Sequence, residues 1–282
     1  MTPGLGLALA AMVCFGVGDL IYKRAAAAGI AANEFVMLQS WVFCPGITAY
    51  AALTGTLDPR LSAAWGALAG LFLLIALHNF ARSLQDGAVS TNAPIFRLNF
   101  TITAALAIAL LGETLTAAKA AALCCALIAV WLLLAAPGAT RAPLPAGSLT
   151  RVLIATVAMA LTNLFYKIGL QHGALPETMV AAQAWAFSSI ATASHLLHER
   201  RFALTPGAWR YSTAAALTLG AAIVLLLHGL VTGPASVLVP VAQLSFVITA
   251  LAGIALFGER LDGRKSAGLA IAVVALALFA KG

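Results

Sequence analysis

The side chains with chemical potential in this sequence are polar and charged groups set inside long apolar runs. Asp19, Tyr22 and Lys23 stand at the end of the first run, His78, Asn79 and Arg82 in the third, and Asn92, Arg97 and Asn99 in the fourth. Asn163, Tyr166 and Lys167 follow in the sixth, His228 in the eighth, and Gln243 with Ser245 in the ninth. A charge at the centre of a spanning helix costs about 2.5–3.5 kcal/mol, so such groups imply a water-filled cavity or specific partners. Arg97 sits too deep to snorkel, just after Pro94, which frees a backbone carbonyl and kinks or breaks its helix. A cation beside such a kink suits the carboxylate of a small solute. The competing reading is a structural Arg97 that bonds amides or carbonyls and holds the kink.

The neighbouring groups extend that chemistry. His78 and Arg82 lie one helical turn apart on one face, and either His78 or His228 can titrate near neutrality and couple movement of a solute to protons. The bland reading is a neutral His bonded across helices. Asn79 is a polar contact for an amino or carboxylate group. Asp19 and Lys23 also stand at i, i+4, the favoured order for an ion pair; in the equivalent stretch the acid is Asn163 and Lys167 loses that partner. These two stretches, with Tyr22, are candidates for gates at opposite ends, or for interfacial anchors. Phe80, Phe96, Phe100, Tyr166 and Phe246 can wall a cavity, although rings of this kind more often simply pack. Gly112-Glu113 reads as a helix terminus whose acid bonds a neighbouring loop or helix end, and Gln39 and Gln183 as glue between helices.

Composition dictates what must position these groups. Of 282 residues, 62% are hydrophobic and 9% charged, with mean hydropathy +0.99. A soluble domain carries about 25% charged residues, so lipid must solvate this chain. A spanning helix takes roughly 20 apolar residues, and such runs fall near 4–22, 33–54, 64–85, 88–111, 117–136, 149–170, 177–197, 211–230, 235–257 and 265–280. No basic stretch precedes the first run, so a retained helix is expected there and not a cleaved signal peptide.

The runs repeat. Asp19-Leu20-Ile21-Tyr22-Lys23 recurs as Asn163-Leu164-Phe165-Tyr166-Lys167, from 19 to 163, a shift of 144 that also carries Gln39, Trp41 and Phe43 onto Gln183, Trp185 and Phe187. Pro94, Phe100, Thr103, Gly112-Glu113, Leu115 and Lys119 recur as Pro240, Phe246, Thr249, Gly258-Glu259, Leu261 and Lys265, from 94 to 240, a shift of 146. Each half holds an odd number of spans, so the second is inverted and a pseudo-two-fold axis lies in the membrane plane. The expected fold is an all-α polytopic membrane protein, with ten transmembrane helices in two inverted five-helix repeats around a central cavity. Residues 1–136 form the first repeat, 137–148 a Pro- and Gly-rich linker, and 149–282 the second. The first, third, fourth, sixth, eighth and ninth helices would line the cavity, while the almost wholly apolar fifth and tenth face lipid or the other half.

Several function classes drop out. Of the 16 Lys and Arg, assigning loops alternately puts Arg60, Lys119, Lys167 and Lys281 on one face and Arg97 within a span, leaving eleven on the other. This positive-inside asymmetry accounts for the net charge of +7 without any nucleic acid and, taken literally, places both termini outside the cytoplasm. Cys14, Cys44, Cys124 and Cys125 fall inside apolar runs without ligand spacing, so neither a metal nor a disulfide is expected. No catalytic or nucleotide-binding motif occurs, and Asp19 is the one carboxylate clearly inside a span, so an intramembrane aspartyl protease lacks its pair.

The stretch from Pro94 through Gly112-Glu113-Thr114-Leu115-Thr116, repeated from Pro240 through Gly258-Glu259-Arg260-Leu261, resembles the drug/metabolite transporter superfamily. The likeness covers the whole chain and is to the EamA-type ten-helix members, among them aromatic amino acid exporters of the YddG type. It implies a secondary transporter of the bacterial inner membrane, with no cofactor, exporting a small metabolite by alternating access around a basket-like cavity. It also implies cytoplasmic termini, against the charge count. Amino acids, neutral or aromatic, are the expected cargo, with Arg97 and Asn79 on the polar end and a monomer as the working unit. Alternatives are a drug, nucleotide-sugar or lipid-precursor carrier of the same fold, a membrane-embedded enzyme, and a non-transporting sensor.

Overall fold

The computed structural model describes residues 4–58, 60–86, 92, 95–134, 146–199, 205–257 and 263–281. Pro94, residues 137–145 of the linker and the Gly258-Glu259-Arg260-Leu261 motif lie outside these residues, while 146–148, expected in the linker, already belong to the helix that follows. Among the described residues the regular structure is helical: α1 Leu5–Ala27, α2 Ala32–Leu53, a short 3₁₀ turn Leu61–Ala63, α3 Ala64–Asp86, α4 Asn99–Leu111, α5 Ala117–Leu134, α6 Ala146–Gln171, α7 Pro176–Glu199, α8 Ala208–Thr232, α9 Ala235–Gln243, α10 Phe246–Phe257 and α11 Gly263–Lys281. Among the described residues seven segments have the length and apolarity to cross a bilayer, and Ile95–Leu111 and Ala117–Leu133 are apolar but shorter. α7 has the length but carries Gln183, Ser188 and Ser189; Gln183 and Ser188 accept hydrogen bonds from Tyr166 and Ser40 inside the bundle. The polar groups are thus satisfied by protein, as hydrocarbon requires.

Packing follows the repeat. α1 lies on α8 and α6 on α3, so the first helix of each half meets the third of the other, while α2 meets α7 and α5 meets α11. Individual bonds obey the same exchange. Trp41 Nε1 donates to Thr192 Oγ1 at 2.9 Å and Trp185 Nε1 to Thr48 Oγ1 at 3.1 Å, and the shift of 144 carries each bond onto the other. Tyr22 donates to Gln39, and Tyr166 to Gln183. Small residues let backbones touch: a Cβ on Gly66 would lie 2.2 Å from the Met179 carbonyl oxygen, and one on Gly70 2.6 Å from that of Gln183. The apolar α5 and α11 pack through Ala122, Ala126, Ala272 and Ala275, all fully buried, and leave Trp131 and Val273 facing outward.

The ninth run, expected as one helix over 235–257, is instead two. α9 stops at Gln243, and Leu244 and Ser245 turn before α10 begins. The fourth run does likewise: Ile95–Arg97 is helical, Leu98 turns, and α4 starts at Asn99. The breaks coincide under the 146 shift, and so does their hydrogen bonding, since Thr101 N reaches Leu98 O at 3.0 Å and Val247 N reaches Leu244 O at 2.9 Å. Both spans tighten to i→i−3 bonding at one equivalent point.

Candidate functional site

The two breaks face each other. Arg97 is the last helical residue before Leu98 and Gln243 the last of α9, and Arg97 Nη1 donates to Gln243 Oε1 at 3.0 Å. Because 97 and 243 are symmetry mates, this bond lies on the pseudo-two-fold axis. Arg97 Nη2 also donates to Asp19 Oδ2 of α1 at 3.2 Å, and Thr249 Oγ1 of α10 to the same oxygen at 3.4 Å. Across the axis Asn163 Nδ2 donates to Thr103 Oγ1 at 3.4 Å, the mate of the Asp19–Thr249 contact. The expected Asp19–Lys23 pair falls on the Lys23 side chain, which lies outside the described residues; Oδ2 of Asp19 goes to Arg97 and Thr249. The cluster opens on one side: the Asp19 and Arg97 side chains are 38% and 22% exposed, whereas Asn163 is buried at 3%.

Chemically, this is an ion pair at the crossing of two interrupted helices, backed by neutral amides. Broken helices at membrane depth are tolerated where the chain lines a cavity or is buried in protein, and their ends supply dipoles and free backbone groups to a ligand. Gln243 and Thr249 hold the pair from the second repeat, so both halves contribute to the cluster.

The remaining expected residues divide by position. His78 and Arg82 are exposed on α3, and Asn79, half-buried, donates to Ile75 O of its own helix at 2.9 Å. Phe80 stacks on Phe96 with centroids 4.3 Å apart. Asn99, Phe100 and Phe246 are packed inside at 0%, 1% and 3% exposure, so in this conformation they wall no opening. Pro240 lies within α9, buried. Tyr22 and Tyr166 are taken up by Gln39 and Gln183.

A second polar group gathers where α8 turns into α9. Lys167 Nζ donates to the carbonyls of Leu230 at 2.6 Å and Gly233 at 2.7 Å, a cation on a helix C-terminus. Glu113, just past the left-handed Gly112 that ends α4, accepts from Ala235 N at 2.7 Å and Ser236 N at 2.8 Å. It caps α9 from another helix, because Pro234 in the N-cap position offers no side-chain acceptor. His228 Nε2 lies 2.7 Å from Oε1 of the buried Glu177 at the start of α7. His228 thus belongs with this end and not with the Arg97 cluster. Sequence reading missed Glu177 and Thr249; Pro176-Glu177 opening a helix was the available sign of the first, and the repeat partner of Thr103 that of the second.

No curated protein sequence matches the chain. Among solved structures, one described as "Crystal structure of protein" superposes with a TM-score of 0.83, over 98% of this chain and 95% of its own, at 16% identity, a likeness of fold. The sequence model of the EamA-like transporter family matches twice, over residues 2–135 and 148–281. The duplication read from the repeats is the family's own, covering both halves, and the chain is a membrane transporter belonging to the EamA-like transporter family.

Proposed function

We propose that this transporter exports a small zwitterionic metabolite, an amino acid, from the bacterial cytoplasm across the inner membrane by alternating access. The observation that carries the reading is the Arg97–Gln243 bond on the repeat axis, with Arg97 still reachable beside the helix breaks. A guanidinium there takes a carboxylate in a planar fork, and two halves that rock about the axis expose it to one side and then the other. Asn79, His78, Arg82 and His228 are further polar contacts along the path, and Lys23 with Lys167 are its gates. The test is purified protein in liposomes loaded with labelled amino acids. Efflux of at least one, lost in Arg97→Ala while the protein stays folded, supports the reading; absence of flux for every amino acid from folded protein overturns it.

A second reading has one observation in its favour. An apolar cleft of about 430 Å³ lies between α2 and α8, lined by Phe43, Gly46, Ile47, Tyr50, Gly220 and Val224 among others. It suits a drug-like apolar solute, which the same liposomes would reveal as amino-acid-independent efflux.

A further inference from the structure

We infer that Asp19, with Thr249, is the ammonium subsite of this carrier, and that the Asp19–Arg97 ion pair selects a zwitterion with both charges on one small fragment. The inference rests on the carrier reading above and deepens it.

The molecule contains its own control for what the fold needs. At the symmetry-equivalent positions the second repeat has Asn163 for Asp19, the uncharged amide of nearly the same shape, and the shorter neutral amide Gln243 for Arg97. Asn163 also meets a threonine, donating to Thr103 Oγ1 at 3.4 Å where Asp19 accepts from Thr249 Oγ1 at 3.4 Å. Neutral side chains therefore suffice to pack these helix crossings. The charged pair occurs in one copy only, and its acid is the accessible one of the two mates: Asp19 is half-buried and Asn163 buried. The bonds from Arg97 and from Thr249 both end on Oδ2 of Asp19.

The pair also dictates what can enter. Separating two opposite charges in a low-dielectric site is costly unless each finds a new partner. A plain carboxylate would occupy Arg97 and strand Asp19; a plain amine would occupy Asp19 and strand Arg97. A solute carrying an ammonium and a carboxylate side by side satisfies both, and Thr249 and Gln243 remain as neutral second contacts to the two ends. Selection for zwitterions thus comes from the unmet charge a wrong solute leaves behind, the strongest form of polar discrimination a site can make.

Binding of phenylalanine, 3-phenylpropionate and phenethylamine to the full-length protein in detergent, by calorimetry and thermal shift, reads this directly, with alanine, propionate and ethylamine as a small-side-chain series. Wild type is expected to bind the amino acid and to reject the matching acid and amine. Asp19→Asn, which copies the other repeat and preserves shape, should weaken amino acid binding by roughly tenfold or more and erase the preference over the desamino acid; Thr249→Val should lower it less. Asp19→Asn with undiminished preference for the zwitterion would overturn the ammonium subsite and leave the amino acid carrier standing. Wild type that binds neither zwitterion in either series would overturn both.

Discussion

Arg97 illustrates which residue-scale facts a sequence yields. Its depth in an apolar run marked it out, and the reading of a structural Arg97 bonded to amides named the type of its partner Gln243, whereas the local i, i+4 rule looked for a partner of Asp19 only at Lys23. The structure pairs Asp19 with Arg97 across 78 residues, and a global rule would have found it: the two deepest charges of opposite sign in a lipid-solvated chain need each other more than either needs a terminal lysine. The same pairing predicts a stability pattern. Arg97→Gln leaves Asp19 beside neutral amides, and thermal unfolding should show a loss below about 3 kcal/mol, since the pair is partly exposed and water screens it. Asp19→Asn added to Arg97→Gln should recover most of that loss, because the double variant leaves no unpaired carboxylate and places at both positions the neutral residue types found at the equivalent 163 and 243. A double variant less stable than Arg97→Gln alone would mean the carboxylate has a structural role besides this partner.

Helix ends and helix breaks were legible to different degrees. Gly112-Glu113 announced a terminus with an acid able to bond a neighbouring helix end, and Glu113 does cap α9. Pro240 announced a break but not its place. Its missing N–H and crowded ring weaken the turn before it, yet Leu244 N still reaches Pro240 O at 3.1 Å, and the chain yields only at Leu244 and Ser245. Where the strain is released depends on what packs around it, which no local pattern contains. Two predictions belong at this scale. Glu113→Gln keeps one acceptor oxygen but turns its amide NH2 toward the second backbone N–H, so it should cost about 1–3 kcal/mol in chemical denaturation, one of the two capping bonds being lost along with the charge. Gly66→Ala should cost about 1–3 kcal/mol, because the added methyl meets the Met179 backbone at 2.2 Å and backbone cannot move aside. Gly46→Ala, whose Cβ meets nothing within 4 Å, is the neutral control.

At the scale of the whole molecule, the repeat predicted symmetry, and the packing is symmetric in its pairings but not in its closeness. Symmetry makes the α3–α7 and α8–α2 interfaces equivalent. The first is zipped, with Gly66 and Gly70 against the backbone of Met179 and Gln183. The second meets where Ser212 Oγ donates to Phe35 O at 3.2 Å, then parts into the cleft of about 430 Å³. One sequence duplicated into two similar halves encodes both arrangements of such a pair, so which side stands open could not be read from it. Two inequivalent copies of one interface are what a rocking carrier shows in either of its end states, the closed copy being the template for the open one. Filling the cleft should then hold it open. Gly46→Phe places a ring where a Cβ finds empty space, so the protein should fold with an unaltered melting temperature, while efflux from liposomes falls several-fold because α2 can no longer close on α8. Amino acid binding should survive, since Asp19 and Arg97 are untouched. Full efflux from folded Gly46→Phe would mean that the α2–α8 interface does not close during transport, and the two copies differ for a reason other than rocking.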